Sequence, residues 1–248
     1  MSKKDSFVPS TELILQKLRE NPDYMAKHAE KERRRDAQKE EFANLSAPIL
    51  SELTAVGLNY SSTEELRHSG ERYEKAVPIL INWLPLIKNQ RLKESIVRAL
   101  SVPWAKPVAA LPLIAEFKNA VGLTSDSLKW AIGNALSIVA DDNVFNEIAE
   151  LVKDKRHGKA REMLAIALGN MKGPRTVDLL IELLSDDQVA GHALMSLGKL
   201  KAQKARPNIE LLLNHPKPWV RKEAKRALAK LDKFSIRRRG KAEQVRNI

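Results

Sequence analysis

Trp219-Val220-Arg221-Lys222-Glu223-Ala224-Lys225-Arg226-Ala227-Leu228 is the stretch whose pattern decides the fold. Val220, Ala224 and the pair Ala227-Leu228 recur at helical spacing, so the apolar side chains share one stripe of a helix. The same pattern stands in register at four earlier places, anchored on Ala99-Leu100, Ala135-Leu136, Ala167-Leu168 and Ser196-Leu197. The five leucines are 36, 32, 29 and 31 residues apart. Four residues before each leucine stand Ile96, Ile132, Leu164, Ala193 and Ala224, and eight before stand Leu92, Leu128, Ala160, Val189 and Val220. The small residue just ahead of each leucine lets a neighbouring helix come close. Self-similarity at this period is the mark of a repeat architecture.

Another apolar-periodic segment precedes each of these helices: 76–86, 107–117, 144–152, 177–184 and 207–213. Turn chemistry separates them, at Lys88-Asn89-Gln90, at residues 122–125, at Lys172-Gly173-Pro174, at Asp186-Asp187 and at His215-Pro216. Pro174 and Pro216 stand where a helix begins and no donor is lost, whereas Pro78, Pro85 and Pro112 are expected to kink the first helices or to mark their ends. Period-2 alternation is nowhere sustained. The prediction is an all-α chain of about five helical pairs.

A pair of about this length, with a second helix like 219–228, resembles a HEAT repeat. It is most similar to the short bacterial type, found among other places in phycobilin lyases. The resemblance covers about residues 74–232 and implies a right-handed α-solenoid whose second helices line the concave face. It is specific for fold and nearly silent on function, since such solenoids serve many roles.

The organisation expected is a segment with a short helix over 1–21, a long helix over 22–57, a connector over 58–73, the repeat solenoid over 74–232 and a basic tail over 233–248. In the long helix Phe42, Leu45, Ile49 and Leu53 form a stripe that predicts a cap on the first repeat, because an open solenoid end exposes core. Its middle, 29–41, holds five acids, five bases and no large apolar residue, which reads as a solvated helix or as a projecting arm. Residues 59–70 are polar and read as connector.

Hydrophobic residues make up 43% of the chain and aromatics only 5%, which suits thin helix-on-helix packing. With no cysteine there is neither a disulfide framework nor a thiolate metal site. The start, Met1-Ser2-Lys3-Lys4-Asp5, leads into no apolar run, so a cytoplasmic protein without a membrane association is expected. The formal net charge is +12, and residues 215–248 alone carry twelve Lys or Arg against three acids. Clustered positive charge is an argument about partners.

Seven residues before each anchoring leucine stand Lys93, Lys129, Arg161, Ala190 and Arg221, a ladder of cations along one edge of the second helices. In HEAT-like repeats this position commonly pairs with an acid of the neighbouring repeat. The other reading is a track for phosphates or for an acidic partner. Lys222 and Lys225 join the candidate partner-binding set, as do Arg237, Arg238, Arg239 and Lys241 of the tail. Basic tails of this kind contact phosphate backbones without sequence preference, or simply solubilise a terminus.

HEAT-like DNA glycosylases use concave tryptophans with an acidic residue. Of Trp83, Trp104, Trp130 and Trp219, only Trp219 has a carboxylate one turn on, Glu223, and it sits in the last repeat, so groove-filling is the favoured role. His28, His68, His157, His192 and His215 are scattered, and no spacing suits a metal. Asp141-Asp142 and Asp186-Asp187 read as helix N-caps. No catalytic, cofactor or metal site is assigned, and an enzyme is disfavoured without being ruled out. The expectation is a scaffold or adapter with a protein partner. A nucleic-acid-binding solenoid, with or without base excision, is the alternative, and a lyase or chaperone for a prosthetic-group-bearing protein is third.

Overall fold

The computed structural model describes residues 11–122 and 125–246, and among these residues there are thirteen α-helices, six short 3-10 turns and no strand. The chain falls into two units divided after Pro48. None of the described helices is long and apolar enough to cross a membrane.

The first unit holds α1 (Thr11–Glu20) and most of α2 (Pro22–Ala55). Asn21 separates the two helices, and its Oδ1 accepts the amides of Asp23 and Tyr24 at 3.0 and 3.1 Å, the N-cap that Pro22 at the first helical position needs. The middle of α2 is solvated throughout. Its pairs His28–Glu32 at 3.6 Å and Asp36–Lys39 at 3.4 Å are exposed and add little.

The second unit begins with the last turns of α2, where Ile49 and Leu53 are fully buried. Leu45, from the same predicted stripe, is 40% exposed. There follow α3 (Thr63–His68), α4 (Ala76–Trp83), α5 (Gln90–Ala99), α6 (Ala110–Asn119), α7 (Ser125–Val139), α8 (Phe145–Lys153) and α9 (Ala160–Leu168). The chain then forms α10 (Pro174–Glu182), α11 (Ala190–Leu200), α12 (Arg206–Leu211) and α13 (Pro218–Arg246). The second helices α5, α7, α9, α11 and α13 pack each on the next, while α6, α8, α10 and α12 each pack on the second helix that follows. This is a HEAT-like stack, and its continuous layer is the row of second helices.

The anchoring pattern builds that layer. Leu100, Leu136, Leu168 and Leu197 are fully buried, as are Ile96, Ile132, Leu164, Ala193 and Ala224 one turn earlier. Leu228 departs from the expectation and is only half-buried, because α13 is the last second helix and has a second-helix neighbour on one side alone. Pro78 and Pro112 each take the third position of a helix, and Pro85 falls beyond the end of α4. No interior hydrogen bond is broken, so they start or follow helices rather than kink them.

Two stretches differ from their reading in the sequence. Residues 59–70 hold α3, capped by Ser62 Oγ accepting the Glu65 amide at 3.0 Å and packed against α5. Its inward face is Leu66 and Thr63, whose hydroxyl lies 2.6 Å from that of Ser95. At the other end, α13 runs unbroken across residues 232–233 to Arg246, because the apolar stripe continues through Leu231 to Phe234. Gln203 clasps this extension, donating to Leu231 O at 2.8 Å and to Ser235 Oγ at 2.9 Å.

Candidate partner-binding face

The cations of the ladder bond inside the fold. Lys93 Nζ lies 2.5 Å from Glu116 Oε2 of α6, and Glu116 is buried. Arg161 is 2% exposed; its Nε donates to Val152 O at 2.7 Å, near the end of α8, and its Nη2 to Asp186 Oδ2 at 2.6 Å, in the turn before α11. Arg221 Nη1 donates to the carbonyls of His215 and Pro216 at 2.7 and 2.9 Å. Lys129 Nζ is 3.4 Å from His157 Nδ1 and 5.8 Å above the Phe117 ring. The fifth position, Ala190, is buried. Arg161 is therefore withdrawn from any partner-facing surface, and Lys93 and Arg221 are committed to neighbouring chain segments.

The paired aspartates divide their work. Asp141 and Asp186 each cap their own turn, accepting the amides of Asn143 and Gln188 at 3.0 Å. Asp142 instead reaches the next repeat and accepts the amides of Lys172 and Gly173 at 2.9 and 2.8 Å. Asp187 likewise holds His215 Nε2 at 3.0 Å and the Lys217 ammonium at 3.6 Å. Hydrogen bonding to His215, with the charge of Lys217, holds the Asp187 carboxyl below its ordinary range. Burial acts to raise Asp186, but the Arg161 hydrogen bond and the Gln188 amide outweigh it and its carboxyl is also lowered. Asp141 and Arg221 thus bond within their own repeats, whereas Lys93, Arg161, Asp142, Asp186 and Asp187 act as ties between repeats.

Trp219 serves the same end. It lies on Gly191 of α11 so closely that a Cβ there would stand 1.9 Å from the indole, and it meets the His192 ring edge-on with centroids 5.3 Å apart. His192 faces Glu162 at 3.8 Å, yet burial outweighs the attraction of Glu162 and Glu223 and lowers its basicity.

Helix α13 brings several uncommitted cations together. Lys222, Lys225, Lys230 and Lys233 are exposed and make no ion pair among the described residues, whereas Arg226 is held by Glu223 at 2.5 Å. Counted at helical periodicity, the four lysines share one stripe. Arg237, Arg238, Arg239 and Lys241 belong to the last turns of the same helix, and their side chains lie outside the described residues.

Beside the lysine stripe is a feature that the sequence reading passed over. A groove of about 460 Å³ lies along the C-terminal halves of α9 and α11 and the middle of α13, floored by Ile166, Met195, Ser196 and Gly198, walled by Phe234, and rimmed by Lys199, Lys201, Lys230 and Lys233. Ser196 Oγ donates to Ala165 O at 2.8 Å, so the floor holds no unsatisfied hydroxyl. A signal for it does exist. Two residues before the anchoring leucines stand Arg98, Asn134, Ile166, Met195 and Arg226, a polar position that turns apolar in the third and fourth repeats alone.

Comparison with known families bears on this same part of the chain. Residues 160–186 match the PBS lyase HEAT-like repeat, and residues 185–238 match HEAT repeats, together spanning α9 to the extension of α13. No curated protein matches the sequence.

Proposed function

Because the chain carries HEAT-like repeats, a helical scaffold suited to protein interaction, we propose that it is an adapter that holds an acidic protein partner on its second-helix face and basic α13. One observation carries the reading: the ladder cations bond within the fold, while Lys222, Lys225, Lys230 and Lys233 make no ion pair among the described residues and share a single stripe of the last helix. Unpaired cations repel one another and add nothing to folding, so a stripe of them favours a complementary anionic surface. Arg237, Arg238, Arg239 and Lys241 extend the same helix with further positive charge.

The test is capture from native lysate at low and high salt, with bound protein and nucleic acid both identified. The full chain is compared with the Lys222→Glu, Lys225→Glu double variant. An acidic protein retained at low salt, released at high salt and lost with the variant supports the adapter. Nucleic acid retained in its place, with affinity falling steeply as salt rises, replaces it by the nucleic-acid-binding reading. Equal capture by both chains sinks the assignment to α13.

A further inference from the structure

We infer that the groove between α9, α11 and α13 receives an acidic amphipathic peptide segment, its apolar side chains on Met195, Ile166 and Phe234 and its carboxylates on the lysines of α13. The inference rests on the adapter reading and names the partner's chemistry. Its first support is the floor. Met195, which lines the groove, is 42% exposed, and an unbranched thioether suits an apolar side chain whose shape is not fixed in advance. Gly198 lets α13 pack closely on α11 beside the groove, since a Cβ there would lie 3.1 Å from Ala227 Cα and 3.3 Å from Lys230 Cδ.

The second support is the rim. All four charged residues around the apolar floor are lysines, and no acid among the described residues lines the groove. Lys201 sits in the left-handed region at φ 55°, in the C-terminal turn of α11 where glycine is the easier residue, and places its ammonium 4.9 Å above the Phe234 ring. Lys199 bonds to Asn170, so the charges available to a ligand are those of Lys230 and Lys233.

Length separates a peptide from a small anion. Lys230 and Lys233 continue the stripe begun by Lys222 and Lys225, a line of about 16 Å at the rise of an α-helix. A single carboxylate or phosphate uses one point on such a line. A segment with carboxylates on one face and apolar side chains on the other uses the whole of it, together with the groove beside it.

Fluorescence anisotropy with the full chain tests this, using a labelled peptide of repeated Glu-Glu-Leu-Leu. Control peptides replace its leucines by serine or its glutamates by lysine. Both controls should bind about ten-fold more weakly or worse. Met195→Ser should weaken the Glu-Glu-Leu-Leu peptide by a similar factor and leave the serine control unchanged, while Lys230→Glu with Lys233→Glu should abolish binding of both acidic peptides. Circular dichroism confirms that each variant folds. Equal affinity for the leucine and serine peptides, with no effect of Met195→Ser, overturns the groove and leaves a purely electrostatic adapter standing. If no acidic peptide binds at low salt, or if the peptides bind undiminished when all four lysines are reversed, the groove and the adapter reading both fall.

Discussion

Arg161 joins three segments at once: α9, which bears it, the carbonyl of Val152 near the end of α8, and Asp186 in the turn that precedes α11. Removing a guanidinium from water is costly, and only a full set of hydrogen bonds offsets that cost. Truncating it leaves the Asp186 carboxylate and the Val152 carbonyl without their partner. Arg161→Ala should therefore destabilise the chain by about 3–5 kcal/mol, as for other buried pairs from which one member is removed. Lysine cannot replace it, because one ammonium does not reach two acceptors in the planar geometry of the fork. Lys222→Ala, on the exposed stripe of α13, should change stability by less than about 0.5 kcal/mol. Urea denaturation of both variants checks the contrast, and an Arg161→Ala chain as stable as the wild type would show that the ladder is no tie.

At the scale of elements, the sequence was most legible where apolar side chains recur in every repeat. The second helices stand where the leucine anchors put them, since a buried stripe constrains each of its positions. The groove was not legible in the same way, because its lining is shared among α9, α11 and α13, and its cue, an apolar residue at an otherwise polar position, shows only when the repeats are set side by side. Helix α3 escaped because half of its buried face is a threonine whose hydroxyl is satisfied by Ser95, a contact that a hydropathy pattern does not register. At the C-terminal end the helix outlasts the change in composition, since α13 runs to Arg246. Basic residues dominate after Lys233, yet helical periodicity persists to Phe234, and periodicity is what a helix obeys. Helix α2 allows a test of which turns stabilise the repeats. Deleting residues 1–48 retains the buried Ile49 and Leu53, whereas deleting residues 1–60 removes both and uncovers the surface they shield. Thermal denaturation by circular dichroism should show the longer deletion melting lower and aggregating, and equal melting of the two would mean that these residues stabilise nothing beyond their own helix.

At the scale of the molecule, the second unit is held by contacts between neighbours, each second helix against the next and each tie from one repeat to the following one. Stability in such a stack is close to a sum of repeat and interface contributions, so the consequence of a lesion depends on where it falls along the row. Leu168 is fully buried on α9, which packs on both α7 and α11, and Leu168→Ala should cost about 2–5 kcal/mol. Leu228 occupies the equivalent position on α13 but is half-buried, so Leu228→Ala should cost about half as much or less, in proportion to the area it shields. Amide hydrogen exchange distinguishes the two beyond magnitude. The Leu168 variant should lose protection in α7, α9 and α11 together, since both interfaces of the central repeat weaken at once. The Leu228 variant should lose it in α12 and α13 while α5 and α7 keep theirs, because an end repeat can open without its distant neighbours. Uniform loss across the whole unit from either substitution would mean that the repeats share one cooperative core, and the neighbour-by-neighbour account of this stack would fail.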